Sequence, residues 1–115
     1  MAKVGRMISP KGELHSKALF KELINVNLTG TFLCAKYAAH HLKNLKLEAV
    51  ERGVIITVAS NLGIDGNKHY IAYGASKAAI MGMIMPMARD LGRYGVRVLS
   101  IAPGLIKTPM TGMMK

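Results

Sequence analysis

The chain has 115 residues, 50% of them hydrophobic and 19% charged, with a single cysteine, Cys34, and a formal net charge of +10. That length suits one domain, and the composition excludes a disordered, collagen-like or disulfide-stapled chain and a cysteine-based zinc site. The basic residues are scattered from Lys3 to Lys115 without a run of five or six, and there is no tryptophan. A solvated basic surface, or a site for a small phosphate-bearing ligand, is therefore expected ahead of a nucleic-acid interface.

In chain order, residues 1–15 read as loop, punctuated by Gly5, Pro10 and Gly12. They lack the apolar core of about 7–15 residues that a secretory signal needs, and Pro10-Lys11-Gly12 interrupts any amphipathic transit helix. No targeting segment is visible. Ser16 is a plausible N-cap. Leu19, Phe20, Leu23, Ile24 and Asn27 then fall at helical spacing, and the pattern predicts a helix over 16–43. Asn27 and Gly30 are poor interior residues, so this helix is expected to be locally irregular, with a freed backbone carbonyl able to hold a water. A solvent-facing asparagine is the plainer reading. Residues 44–52 are polar. The run Val54-Ile55-Ile56-Thr57-Val58-Ala59 predicts a strand over 53–60, buried on both faces as in a parallel sheet. Residues 60–69 read as loop. A second helix is predicted over 70–94, kinked at Pro86 and closed by Gly95 in the left-handed conformation. A second strand over 96–102 ends at Pro103-Gly104, and 103–115 is loop. Helix, strand, helix, strand gives an α/β chain with a parallel sheet built on one βαβ crossover. No apolar run approaches the roughly 20 residues of a bilayer span, so no membrane span is expected.

The chemistry concentrates in few places. Tyr73 and Lys77 stand four apart, which stacks them on one face of a helix. An ammonium within about 4–6 Å favours a phenolate and lowers its pKa by about 1–3 units, which makes the pair a sensible general acid/base. With four tyrosines and eleven lysines in the chain, the spacing alone arises easily by chance. Ser60 ends the first strand, and ligands of parallel sheets bind beyond the carboxyl ends of strands. There its hydroxyl can donate to a substrate oxygen as charge develops, although a strand-end cap is the commoner use. Pro103-Gly104 turns the chain back across the same mouth, with Thr108 able to hydrogen-bond an amide, or is an ordinary turn. No metal-ligand set is expected.

Together these residues resemble the short-chain dehydrogenase/reductase family. The matching stretches are Asn25-Val26-Asn27-Leu28-Thr29-Gly30-Thr31-Phe32, Ser60, Tyr73-Gly74-Ala75-Ser76-Lys77 and Pro103-Gly104-Leu105-Ile106-Lys107-Thr108, in family order and spacing. Within the family the chain resembles the type 2 3-hydroxyacyl-CoA dehydrogenases, also called 17β-hydroxysteroid dehydrogenases type 10. That likeness lies in Arg52-Gly53-Val54-Ile55-Ile56, Pro86-Met87-Ala88-Arg89-Asp90-Leu91, Ile101-Ala102-Pro103-Gly104-Leu105 and the loop Lys11-Gly12-Glu13-Leu14-His15.

The resemblance implies a Rossmann-like doubly wound parallel sheet and hydride transfer between a secondary alcohol and NAD, NADP remaining open. It implies Tyr73 as proton carrier, Lys77 as the residue that lowers its pKa and holds the nicotinamide ribose, Ser60 as orienter of the substrate oxygen, and Asn27 as holder of a water leading from Lys77. Pro103, Gly104, Leu105, Ile106 and Thr108 would contact the nicotinamide end. It also implies an acyl-CoA or steroid-like substrate, a homo-oligomer formed through the two long helices, and a mitochondrial or cytoplasmic location. The family opens with a glycine-rich Thr-Gly-x-x-x-Gly-x-Gly turn that is not among these 115 residues, so the expectation is a partial domain: the catalytic half without the first, pyrophosphate-binding βαβ half. Two other functions stay open on the sequence, a catalytically silent fragment that associates with full-length subunits and a 3-oxoacyl-carrier-protein reductase-like enzyme.

Overall fold

In the computed structural model, which describes residues 1–46 and 50–106, the first helical run starts where Ser16 caps it. The Ser16 hydroxyl accepts from the Leu19 amide at 3.2 Å, satisfying one of the orphan donors of a helix start. The run has three parts: α1 (Lys17–Leu23), a π turn (Ile24–Thr29) and α2 (Gly30–Lys43). The irregularity expected within the helix over 16–43 takes the form of a wider turn, with extra backbone per turn around Asn27, where propensity is weakest. The Thr31 hydroxyl donates to the Asn27 carbonyl at 2.6 Å and so takes up backbone capacity that the widened turn releases.

Strands β1 (Gly53–Val58) and β2 (Val96–Ile101) pair in parallel, with Gly53 opposite Val96 and Val58 opposite Ile101. Backbone bonds from Arg52 N to the Gly95 carbonyl (2.7 Å) and from Ala59 N to the Ile101 carbonyl (2.8 Å) extend the ladder at both ends. The crossover between them is α3 (Ile71–Gly92), which runs through the exposed Pro86 and stops short of the expected residue 94. Gly95 holds φ +68°, and a Cβ there would run into the Val50 carbonyl, so the turn into β2 requires glycine.

The buried core lies on one face of this sheet. Ile55, Val96 and Val98 point into it and meet Ala35 of α2, with Leu42, Ile84, Met87 and Leu91 packed around them. On the opposite face Val54, Ile56, Val58, Leu99 and Ile101 are all exposed. The expectation of strands buried on both faces is therefore corrected: among the described residues only one face is covered, because successive side chains of a strand point to opposite sides and α2 and α3 both lie on the same side.

By length and composition alone, α3 is long and apolar enough to cross a membrane. Its Ala72, Ser76 and Ile80 are buried within this fold, and it packs against β2. Residues 1–15 are not free loop. Ile8 bridges Leu14 in an antiparallel pair, and Gly5 bridges Tyr70 in a parallel one, its amide reaching the His69 carbonyl at 2.7 Å.

Candidate active site

At the carboxyl end of β1, Ser60 adopts an extended backbone and caps a short 3₁₀ turn, Asn61–Gly63. Its hydroxyl oxygen accepts from the Leu62 amide at 3.2 Å, and its own hydrogen has only the distant Asn61 Oδ1 at 3.5 Å. Ser60 is thus the strand-end cap that the plainer reading foresaw, and it keeps a hydroxyl hydrogen to offer. The turn lies directly on α3. A Cβ at Gly63 would fall 2.7 Å from the Ala78 nitrogen, and one at Gly74 would fall 3.0 Å from the Leu62 carbonyl oxygen. These two glycines let the backbones meet, and so bring the end of β1 against the first turns of the helix that carries Tyr73 and Lys77.

On α3 the expected pair comes together. The Lys77 ammonium lies 5.7 Å from the centroid of the Tyr73 ring. It also donates to the Val58 carbonyl at 2.8 Å. Partial burial lowers the Lys77 pKa below the ordinary lysine value, since desolvation disfavours its charged form. Tyr73 is further oriented by Tyr70, edge-to-face at 6.0 Å between centroids.

Asn27 is buried, not solvent-facing, at 6% exposure. Its side-chain amide donates to the Met1 carbonyl at 2.9 Å and to the Ser76 hydroxyl at 3.0 Å. Its Oδ1 accepts from the Met1 amino group at 2.9 Å. Its backbone carbonyl, expected to hold a water, accepts from the Thr31 hydroxyl. Asn27 and Lys77 both line a groove of about 720 Å³ that runs between α2 and the free edge of β1, with Thr31, Cys34 and residues 54–58 along it.

Past β2, the Pro103 carbonyl accepts from the Asn61 amide at 3.1 Å, and Gly104 lies against the Asn61 side chain. The Pro-Gly turn is therefore fastened to the Ser60 turn. Leu105 and Ile106 follow as exposed apolar residues. Thr108 lies outside the described residues. Sequence reasoning passed over Ser76, Tyr70, Gly63 and Gly74. Only the glycines gave a signal, as small residues on either side of a strand-to-helix passage.

With this geometry in view, comparison with known proteins is specific. The family model described as short chain dehydrogenase matches residues 2–115, and the chain belongs to the short-chain dehydrogenase family. It is 44% identical over 101 residues to the 3-hydroxyacyl-CoA dehydrogenase type-2 of Bos taurus, a match that covers 87% of this chain and 39% of that protein. The crystal structure of 3-hydroxyacyl-CoA dehydrogenase type-2 from Mycobacterium avium superposes with a TM-score of 0.92 at 32% identity, over all of this chain and 45% of that one. The structure of an NAD+-bound xylitol dehydrogenase matches with a TM-score of 0.78 at 27% identity, over 96% of this chain and 40% of that one. The chain thus spans about two-fifths of the length of the curated relatives it matches. Its parallel strands and helices are a part of the family's Rossmann-like α/β fold.

Proposed function

We propose that this chain carries the proton-transfer machinery of a nicotinamide-dependent oxidoreductase, with NAD as cofactor and the secondary alcohol of a 3-hydroxyacyl-CoA as substrate. The observation that carries the reading is the Tyr73–Lys77 pair, ammonium 5.7 Å from the ring, set beside the end of a parallel strand that is followed by the Ser60 turn. The substrate class rests on the likeness to type-2 3-hydroxyacyl-CoA dehydrogenases. A polyphosphate-bearing acyl-CoA also suits a chain of net charge +10.

The residues fit the nicotinamide–ribose end of such a cofactor. Lys77 bonds one carbonyl, which leaves it two further hydrogens for ribose hydroxyls. Pro103 and Gly104, fastened to the Ser60 turn, would lead Leu105 and Ile106 across the nicotinamide end, and Thr108 would donate to the carboxamide. The pyrophosphate is assigned to no residue of this sequence. When bound, the nicotinamide supplies the hydride acceptor. Tyr73 takes the hydroxyl proton as the alcohol carbon gives up its hydride, leaving a ketone. Lys77 favours the phenolate that makes Tyr73 a base. Ser60 donates its spare hydrogen to the substrate oxygen and fixes it near Tyr73. Asn27, in the π turn that lines the same groove as Lys77, would hold a water that passes the proton toward solvent. Self-association through α2 and α3 is part of the proposal, supported by exposed Phe32, Leu33, Tyr37 and Met85 on those helices.

The test is oxidation of 3-hydroxybutyryl-CoA followed by the absorbance of reduced nicotinamide, with NADP run in parallel. Turnover is expected, with a loss of about 10²–10⁴-fold in Tyr73→Phe. Absence of both turnover and NAD binding would sink this reading for the chain as it stands. It would favour the second reading, an interaction module, to which the bare apolar face of the sheet points.

A further inference from the structure

Ser76 is fully buried, at 0% exposure, in the interior of a helix. Serine is not the default choice at such a position, because alanine there buries no polar atom and has the better helix propensity. The serine is nevertheless satisfied on both sides. Its hydroxyl donates to the Tyr73 carbonyl at 2.7 Å, and its oxygen accepts from the Asn27 side-chain amide at 3.0 Å. The second bond joins residues 49 apart in sequence. It ties the π turn, a rare backbone form, to the first turns of α3.

We propose that Ser76 is a positioning residue of this site: its hydroxyl locks the Asn27 side chain to α3 and so holds the π turn in one register against Tyr73 and Lys77. It stands three residues after Tyr73 and one before Lys77. With a rotatable Oγ–H, the hydroxyl can donate to one element while accepting from the other, which alanine cannot do and a thiol does only weakly. The Asn27 amide keeps its bond to the Met1 carbonyl without Ser76, but loses its hold on the helix that bears the acid/base pair. The consequence for turnover rests on the function proposed above. The consequence for Asn27 does not.

Two readouts on Ser76→Ala and on the near-isosteric Ser76→Cys test this. In the first, exchange of the Asn27 side-chain amide protons is followed by NMR. It is expected to quicken by about ten-fold or more in both variants while melting stays cooperative. In the second, kcat for 3-hydroxybutyryl-CoA oxidation falls by about ten- to hundred-fold with KM within about two-fold, as expected for lost alignment with intact binding. Ala79→Gly, in the next turn of α3, weakens the helix without touching Asn27 and leaves the Asn27 exchange unchanged. Unaltered Asn27 exchange in Ser76→Cys, or equal acceleration in Ala79→Gly, would overturn the proposal. If the unmodified chain turns nothing over, the proposed function fails, and the exchange measurement still decides the role of Ser76.

Discussion

Ile55 and Ile56 are chemically identical neighbours in one strand, yet Ile55 is 8% exposed and Ile56 is 56% exposed. The same split separates Val98 from Leu99 in the partner strand. One face of the sheet is sealed by α2 and α3, and the other, equally apolar, faces outward. The strand pleat assigns residues to faces, but only the placement of the helices decides which face becomes a core. Burial in this chain is therefore a property of layers, not of residue type.

The sharpest way to break this contrast is to truncate both isoleucines. Ile55→Ala is expected to lower stability by about 2–5 kcal/mol, the usual cost of a large-to-small change in a core. Ile56→Ala should lower it by about 0.5 kcal/mol or less, as a surface change does. Denaturant melts of the two variants decide; equal losses would mean that the outward face is covered in solution.

A smaller effect is expected where the turn after β1 meets α3. Gly63→Ala sets a Cβ 2.7 Å from the Ala78 nitrogen. Backbone cannot swing aside as a side chain can, so a loss of about 1–3 kcal/mol is expected, measured by the same melts. A neutral result would show that the Ser60 turn is not held against α3.

The smallest effect concerns Lys77, at the free edge of β1. Its pKa is lowered by desolvation, so the native state binds fewer protons than the unfolded chain just below the ordinary lysine range. Its penalty is present at lower pH and is relieved as pH rises through that window. Melting midpoints of the parent chain and Lys77→Met, compared across rising pH, should shift in favour of the parent. A drift in the opposite sense would show that the bond to the Val58 carbonyl outweighs the burial.

Much of the architecture was legible in the sequence, for identifiable reasons. The β-branched run 54–58 and the alanines of α3 carry their own periodicity and propensity. Asn27 announced an irregular helix because asparagine and glycine resist a regular one, and there the structure has a π turn. Tyr73 and Lys77 were found by spacing. What escaped lay in relations between segments. A continuously apolar strand says nothing about which of its faces will be sealed. Ser76 stands in the Tyr73–Lys77 stretch with no role of its own until the π turn is brought against it. Gly63 and Gly74 show in the sequence as small residues, but the backbone that each of them meets does not.

One bond joins the sheet to the chemistry. Because the Ala59 amide bonds Ile101 of β2, the backbone groups of Val58 point to the other edge of β1, where the Val58 carbonyl receives Lys77. That carbonyl is at once an edge acceptor awaiting a neighbouring strand and the mooring of the ammonium. A polypeptide that pairs in register along this edge competes with Lys77 for the same oxygen. The width of the sheet and the reach of Lys77 are therefore linked quantities, since a strand added at this edge would contend with the lysine for one oxygen.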